Sequence, residues 1–523
     1  MPRKIFERLL PRKKSKHNHT IPKALDVVKK QLEERFKDSD DIAIHEFSLP
    51  LKLDLDTQAV LVYIKGMVNQ DAVFEQVLRN LVLGLRQISH LEKLPQESIK
   101  MIKDIITVAE VSEKSSWDDV ILDLVSGSAL VFIDGQKFAL SINVAQGERR
   151  GVEQPVTEAV IRGPRDSFSE TLTINISLVR RRLKDPRLKV KKYVIGERSR
   201  TETALLYIED IIDSGVLEEI KKRLETIRID SLTDSGYLEQ LITDTWWSLF
   251  NTTQESERPD EVVGGLLEGR FAILVDNTPF AILAPTTINT LMHSPEDYYL
   301  SWIGSSLVRF VRFIGSFIAF ILPGLYIALV TYHPEMIPTQ LALSISATRT
   351  GIPFPVVVEA FIMELAFELL REAGIRLPGP IGQTIGIVGG IIIGEAAVGA
   401  GIVSPIMVII VATTAIASFL IPTYSLTVTL RTLRFFVMIL SALLGLFGLV
   451  LGVLIIGGHL CILKSFGVSM LSPWTPLRIS DFQDSLIKLP LIATKNRPVF
   501  GRPQDRRRLV DKRPNDLKRG RTE

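Results

Sequence analysis

The sequence predicts an α/β cytoplasmic region of two related subdomains, followed by an all-α transmembrane domain. Three observations carry that reading. Charged residues make up 23% of the chain, yet nearly all of them precede Arg312 or follow Lys464. A pattern that begins near Ala59 returns near Ala204. Between Pro380 and Val398, glycine recurs every fourth residue inside an apolar run. The boundaries that follow are a basic N-terminal arm and lead-in (1–54), a first α/β subdomain (55–150), a basic connecting segment (151–200), a second α/β subdomain (201–300), a transmembrane domain (301–464) and a basic C-terminal tail (465–523).

The net charge of +3 says little as a total; its distribution says more. Residues 2 to about 20 hold Arg3, Lys4, Arg8, Arg12, Lys13, Lys14 and Lys16, a density of like charge that reads as a solvated arm near anionic lipid headgroups. No apolar signal core follows Met1, which places the large N-terminal part in the cytoplasm. The single cysteine, Cys461, excludes an intrachain disulfide framework and a cysteine-based metal site. No cofactor or metal is expected.

The duplication rests on two blocks. AVLVYIKGMVNQDAVFEQVLRNL, from Ala59, resembles ALLYIEDIIDSGVLEEIKKRL, from Ala204, matching Tyr63 with Tyr207, Phe74 with Leu217 and Leu81 with Leu224. WDDVILDLVSGSALVFIDGQKFAL, from Trp117, resembles RPDEVVGGLLEGRFAILVDNTPFAIL, from Arg258. There Gly127 matches Gly269, Asp134 matches Asp276 and Phe138 matches Phe280. The offset stays between 142 and 144. Each copy reads as a short strand, a helix, and a second helix ending at glycine before a hairpin, turned at Asp134-Gly135 in one and Asp276-Asn277 in the other.

Between the copies, Arg149 to Arg200 is densely basic, and the second copy is acidic. Opposite charges in adjoining segments suit contacts within the subdomain pair or between subunits. Nucleic-acid binding is not expected, since no reader motif accompanies the charge and aromatics are sparse there.

Three stretches in order, RGPRDSFSETLTINISLVRRRLKDPRLKVKKYVIGERSRT (Arg162 to Thr201), SPEDYY (Ser294 to Tyr299) and ELLREAGIRLPGPIGQTIGIVGG (Glu368 to Gly390), resemble the A subunits of the GerA family of bacterial spore germinant receptors. The resemblance covers nearly the whole chain apart from the basic tails. It implies a nutrient-sensing complex in the spore inner membrane, with a transporter-like B subunit that binds the germinant and a lipoprotein C subunit. It also implies that A subunits oligomerise and provide an ion path.

Within the membrane domain, Phe313 to Tyr332 is uncharged and long enough to cross ~30 Å of hydrocarbon at ~1.5 Å per residue. Pro334 to Gly351 reads as interfacial. Pro353 to Gly374 sets Glu364, Glu368, Arg371 and Glu372 on one helical side and is read as an amphipathic helix lying at the interface; a buried helix whose acids meet Arg371 or neighbouring subunits is the rival. The glycine-spaced run, Val403 to Tyr424, and Phe435 to Leu463 complete four crossings. His459 reads as a hydrogen-bonded packing residue. The tail after Lys464 reads as disordered near anionic lipid.

In the glycine-spaced run, Gly382, Gly386, Gly390 and Gly394 form a stripe that lets helices approach closely, which in lipid is a main source of association. Thr384, Ile387, Ile391 and Glu395 fall on the other side. An ionised carboxylate facing lipid at mid-span costs roughly 2.5–3.5 kcal/mol on insertion scales. If copies ring an axis, Glu395 forms a carboxylate ring and Ile391 an apolar constriction. If Glu395 lies near the span's end, it reaches headgroups instead. No phosphate-cradling loop, HExxH or GxSxG motif is present, so catalysis has no candidate residues. The leading functional reading is a channel-forming homo-oligomer. A non-conducting scaffold that couples a ligand-binding partner to other germination machinery is the alternative, and a secondary transporter is disfavoured because the repeat lies in the soluble part.

Overall fold

The computed structural model describes residues 20–49, 57–84, 106, 111–144, 154–155, 157–158, 160–376, 389–390, 392–478, 481–482 and 484–508. Its N-terminal half is α/β, built around two five-stranded antiparallel sheets. The first contains β1 (Ile42–Leu49), β2 (Thr57–Ile64), β3 (Val111–Lys114), β4 (Ala129–Ile133) and β5 (Ala139–Ile142) in the order β1-β2-β4-β5-β3. The second contains β6 (Leu188–Ile195), β7 (Thr201–Ile208), β8 (Gln254–Ser256), β9 (Phe271–Val275) and β10 (Ala281–Ala284) in the order β6-β7-β9-β10-β8.

The two orders are the same order, so the sequence repeat is a repeat of topology. Both sheets begin earlier than the aligned blocks: β1 lies in the stretch read as lead-in, and β6 lies in the basic connector. Each sheet is covered on both faces, which is why β2, β4, β7 and β9 read as unbroken apolar runs rather than alternating ones. In the first copy, α1 (Leu25–Arg35) and α2 (Trp117–Val125) bury Val28, Leu32, Trp117 and Leu124 on one face, while helical residues Val73, Val77 and Leu81 cover the other. The second copy repeats this with α3 (Leu172–Arg182) and α6 (Pro259–Leu267) on one face, and α4 (Ser214–Thr226) and α5 (Ser235–Ile242) on the other.

The matched residues do matched work. Gly127 and Gly269 end their helices at φ +98° and +91°, a left-handed conformation that favours glycine. Asp134 accepts from Leu25 N at the start of α1, and Asp276 accepts from Leu172 N at the start of α3, both at 3.0 Å.

Charges of the basic connector pair within the chain. Arg180, fully buried, holds Asp41 at 2.7 and 2.9 Å, and Asp40 N donates to Val190 O, so the loop before β1 is stitched to α3 and β6. Lys189 and Lys192 meet Glu209 and Glu202 of the acidic second copy.

The C-terminal half is helical, and two helices, α7 (Trp302–Tyr332) and α10 (Tyr424–Ile462), are long and apolar enough to cross a membrane by length and composition. Between them lie α8 (Val356–Arg376), a helical stretch at 392–399 and α9 (Pro405–Ser418). The last run is not a single span. At Gly445 the backbone leaves the helix (φ +62°, ψ −140°), and Gly448 stacks on Leu440 with no room for a Cβ. Residues 424–444 and 446–462 therefore form an antiparallel hairpin, in place of the single last span of the four-crossing scheme. Tyr332 at the end of α7 lies against Gly445, and Tyr332 OH donates to Ala442 O at 2.5 Å, which marks the far end of the bundle.

Two further expectations are corrected. The helix read as lying at the interface, now α8, is packed against α9 and α7, with Glu359 and Glu364 buried. The described residues of the tail after Lys464 are folded onto the α/β region and the foot of α7: Phe466 joins the core of the second copy, Gln504 N donates to Ile211 O, and Asp484 and Lys488 are bonded to residues before and within α7. The motif-free composition of that tail concealed this docking.

Candidate functional site

The described residues concentrate charge where the second α/β copy meets the foot of α7. Asp297 lies in a short helix, Glu296–Tyr299, and is 1% exposed. Arg309 and Arg312 are three residues apart on α7 and so project on one side. Arg312 grips Asp297 with two nitrogens (2.8 and 3.1 Å), and Arg309 Nε adds a third contact at 3.2 Å. Arg309 Nη1 also reaches Asp484 at 2.9 Å, and Lys488 Nζ donates to Asp297 O at 2.6 Å. Burial works to raise the Asp297 pKa, but the Arg312 hydrogen bond and the charges of Arg312 and Arg309 hold it below the ordinary carboxylate value.

The neighbouring tyrosines join this knot to the rest. Tyr298 OH donates to Asp484 at 3.1 Å, and Tyr299 OH donates to Asp260 on α6 at 2.5 Å. Asp260 also accepts from Arg258, whose guanidinium donates to Pro164 O (2.9 Å) and Glu158 O (3.2 Å). Gly163 sits at φ +141°, and a Cβ there would meet the Tyr299 ring at 2.8 Å. The RGPRD and SPEDYY motifs thus meet through a glycine and a tyrosine.

A cavity of about 340 Å³ opens beside the knot, lined by Asp260, Glu261, Glu268, Arg270, His293 and Tyr298 among others. Burial, helped by the Arg309 charge, pushes His293 down to about 4, and burial raises Glu268 to about 7. Among the described residues no cluster of three or more His, Cys, Asp or Glu is gathered to hold a metal ion.

Higher in the bundle, Glu364 of α8 pairs with Arg434 of α10 at 2.8 and 3.0 Å, both buried, and Glu368 pairs with Arg431. Glu359 accepts from Ser404 N (2.9 Å) at the start of α9 and meets Arg349 at 3.0 Å. Arg371 donates to Ser418 at 2.8 Å. Glu364 and Glu368 were visible on one helical side of the sequence; their partners Arg434 and Arg431, 70 and 63 residues away, were not.

Of the eight residues singled out in the glycine-spaced run, Gly382, Thr384, Gly386, Ile387 and Ile391 lie outside the described residues. Gly394 is buried, and a Cβ on it would touch Val408 of α9 at 3.5 Å. Gly390 has open space where its Cβ would be. Glu395 is exposed. His459 bonds Ser248 at 2.9 Å and packs on Trp247, a packing role as expected.

An antiparallel α/β region, repeated in topology and joined through a buried ionic knot to an apolar helical bundle, is the architecture of a membrane protein with a large α/β half. The family model described as Bacillus/Clostridium GerA spore germination protein matches residues 30–500, and the chain belongs to that family. It is 44% identical to spore germination protein KA of Bacillus subtilis (strain 168) over 455 residues, covering 87% of this chain and 83% of that one. It is 39% identical over 478 residues to spore germination protein GerLA of Bacillus cereus, covering 91% and 96%. Among solved structures it is similar to the N-terminal domain of the A subunit of the Bacillus megaterium spore germinant receptor GerK3, at 33% identity and a TM-score of 0.40, covering 51% of this chain and 96% of that one.

Proposed function

We propose that this chain is the membrane subunit of a nutrient-responsive germinant receptor in the spore inner membrane. In this reading copies of the chain assemble into a ligand-gated cation channel, with a transporter-like B subunit and a lipoprotein C subunit as partners. The α/β region and the docked tail share one side of the bundle and face the cytoplasm.

The observation that carries the channel is the environment of Glu395. It is exposed while the adjacent Gly394 is buried against α9, and it lies six residues before Gly401, which approaches Gly351 O. Glu395 is thus about 9 Å along the helix from that turn. A carboxylate at this depth avoids lipid by facing water or another copy. A ring of copies gives it water and gives Ile391, four residues earlier in the sequence, a place in the constriction.

The test is cation flux through protein in proteoliposomes, with and without partner subunits. Ile391→Ala is expected to leak cations without nutrient, and Glu395→Gln to lower cation over anion selectivity. No cation flux from the parent protein, alone or with its partner subunits, or a monodisperse monomer in the bilayer, would sink the channel and leave the scaffold; unchanged flux in both variants would take the pore lining away from Ile391 and Glu395.

A further inference from the structure

Four of the chain's five tryptophans, all but the buried Trp117, are exposed. Two of them, Trp246 and Trp247, stand in the loop between α5 and β8, where they are 86% and 64% exposed, followed by Leu249 at 50%. An indole pair so bare on a soluble domain needs a partner, and the surrounding contacts identify it. Trp247 packs on His459 with ring centroids 4.9 Å apart, Ser248 Oγ bonds the same ring at 2.9 Å, and Thr429 Oγ1 donates to Leu249 O at 2.6 Å. The loop is therefore pinned across both arms of the α10 hairpin, flush with its apolar outer surface.

The height of this ledge can be counted along the helices. The far end of the bundle is where Tyr332 meets Gly445. His459 is 14 residues from Gly445, about 21 Å at 1.5 Å per residue. Against another helix, α7, Trp474 of the tail, 41% exposed, stacks on Phe313 with ring centroids 6.3 Å apart. Phe313 is 19 residues before Tyr332, about 28 Å. Two separate segments thus place indoles 21–28 Å from the far end, close to the ~30 Å of a hydrocarbon core. Tryptophan is enriched at that boundary because its body is apolar and its N–H is polar. Arg312 and Arg309, the first charges met on α7 below Tyr332, begin at the same level.

We propose that Trp246 and Trp247 lie in the headgroup–acyl boundary of the bilayer, so that the second α/β copy is moored to the lipid surface by its own loop as well as through the polypeptide. Trp474 marks the same plane on another side of the bundle. The mooring holds whether or not the assembly conducts.

The test uses the full chain in phosphatidylcholine–phosphatidylglycerol proteoliposomes. In a Cys461→Ser background, a bimane label on Trp246→Cys is quenched by lipids carrying a nitroxide near the headgroup at least twofold more than by lipids carrying it at the chain end, and a label on Leu122→Cys, exposed on the first copy, is quenched by neither. As a check free of new cysteines, brominated lipids quench the native tryptophan emission, and Trp246→Phe/Trp247→Phe removes roughly half of the quenchable signal. A label at 246 as insensitive to lipid nitroxide as the one at 122 overturns the proposal. So does a 246 position that cross-links between copies while remaining unquenched, which would assign the ledge to a subunit contact.

Discussion

The two α/β copies share strand order, helix caps and terminal glycines, yet they present different surfaces at the same place. At the start of α2 the first copy carries Asp118 and Asp119, both exposed, and beyond its terminal glycine it carries Ser128. The matching positions on the second copy are Asp260, Glu261 and Arg270. Asp260 is bonded to Tyr299 and Arg258, Glu261 accepts from Gln254 and Ser256, and Arg270 is buried against Pro285 O and Thr286. Acids stand at the same helix start in both copies, and only in the second do Tyr299, Arg258, Gln254 and Ser256 bond them, so there the edge is the docking face for the foot of α7.

The largest expected effect tests that contrast directly. Asp297→Asn leaves Arg309 and Arg312 buried with half their charge partner gone, and breaking one side of a buried pair costs about 3–5 kcal/mol. Asp118→Asn, on the exposed edge, is expected to stay within about 0.5 kcal/mol. Thermal unfolding of both variants in detergent measures the gap; equal midpoints would mean that the knot is not what distinguishes the copies.

Acid sharpens the same contrast, because His293 borders the knot. Its folded pKa is about 4 against an ordinary 6.5, so between those values the unfolded chain binds a proton that the folded site refuses. Stability is thus fully present above pH 6.5 and falls as pH drops toward 4. His293→Gln, which keeps a donor for Ser485 O, is expected to remove a loss on the order of 1–2 kcal/mol near pH 5. Parallel pH profiles of variant and parent that never diverge in that window would place the acid sensitivity elsewhere. Tyr299→Phe, which strips one donor from Asp260, follows at about 1.5 kcal/mol, read by the same thermal assay.

Much of the α/β half was legible because its signals are local. Gly127, Gly269, Asp134 and Asp276 stand at fixed spacings beside apolar runs, and a helix stop and a hairpin turn need little more. The edge strands β3 and β8 escaped notice because they are three or four residues long and get their partners from β5 and β10. The knot was half legible: Arg312 stood out as the last charge before the uncharged run from Phe313, and SPEDYY as one of the stretches that carry the resemblance. Their meeting with Asp484 and Lys488 depends on a tail that returns across about 175 residues, which no periodicity encodes. The Gly445 turn was hidden because glycine is common in membrane helices and the run on either side is uniformly apolar.

The smallest effect asks how alike the copies remain. Asp134 and Asp276 each reach from a hairpin turn to the first free N–H of a helix, at the same distance and with the same carboxylate oxygen. Losing such a contact costs about 1 kcal/mol when the orphaned donor has no substitute. Asp134→Ala and Asp276→Ala should therefore destabilise to within a few tenths of each other, measured separately by hydrogen exchange at Leu25–Lys30 and Leu172–Ser177. A markedly larger loss at α3 has a physical route. That helix also carries Arg180, whose ion pair with Asp41 binds the copies together, so fraying its start would then travel into the seam between them. Equal losses would mean that each cap serves only its own copy and that the asymmetry of the pair resides at the foot of α7.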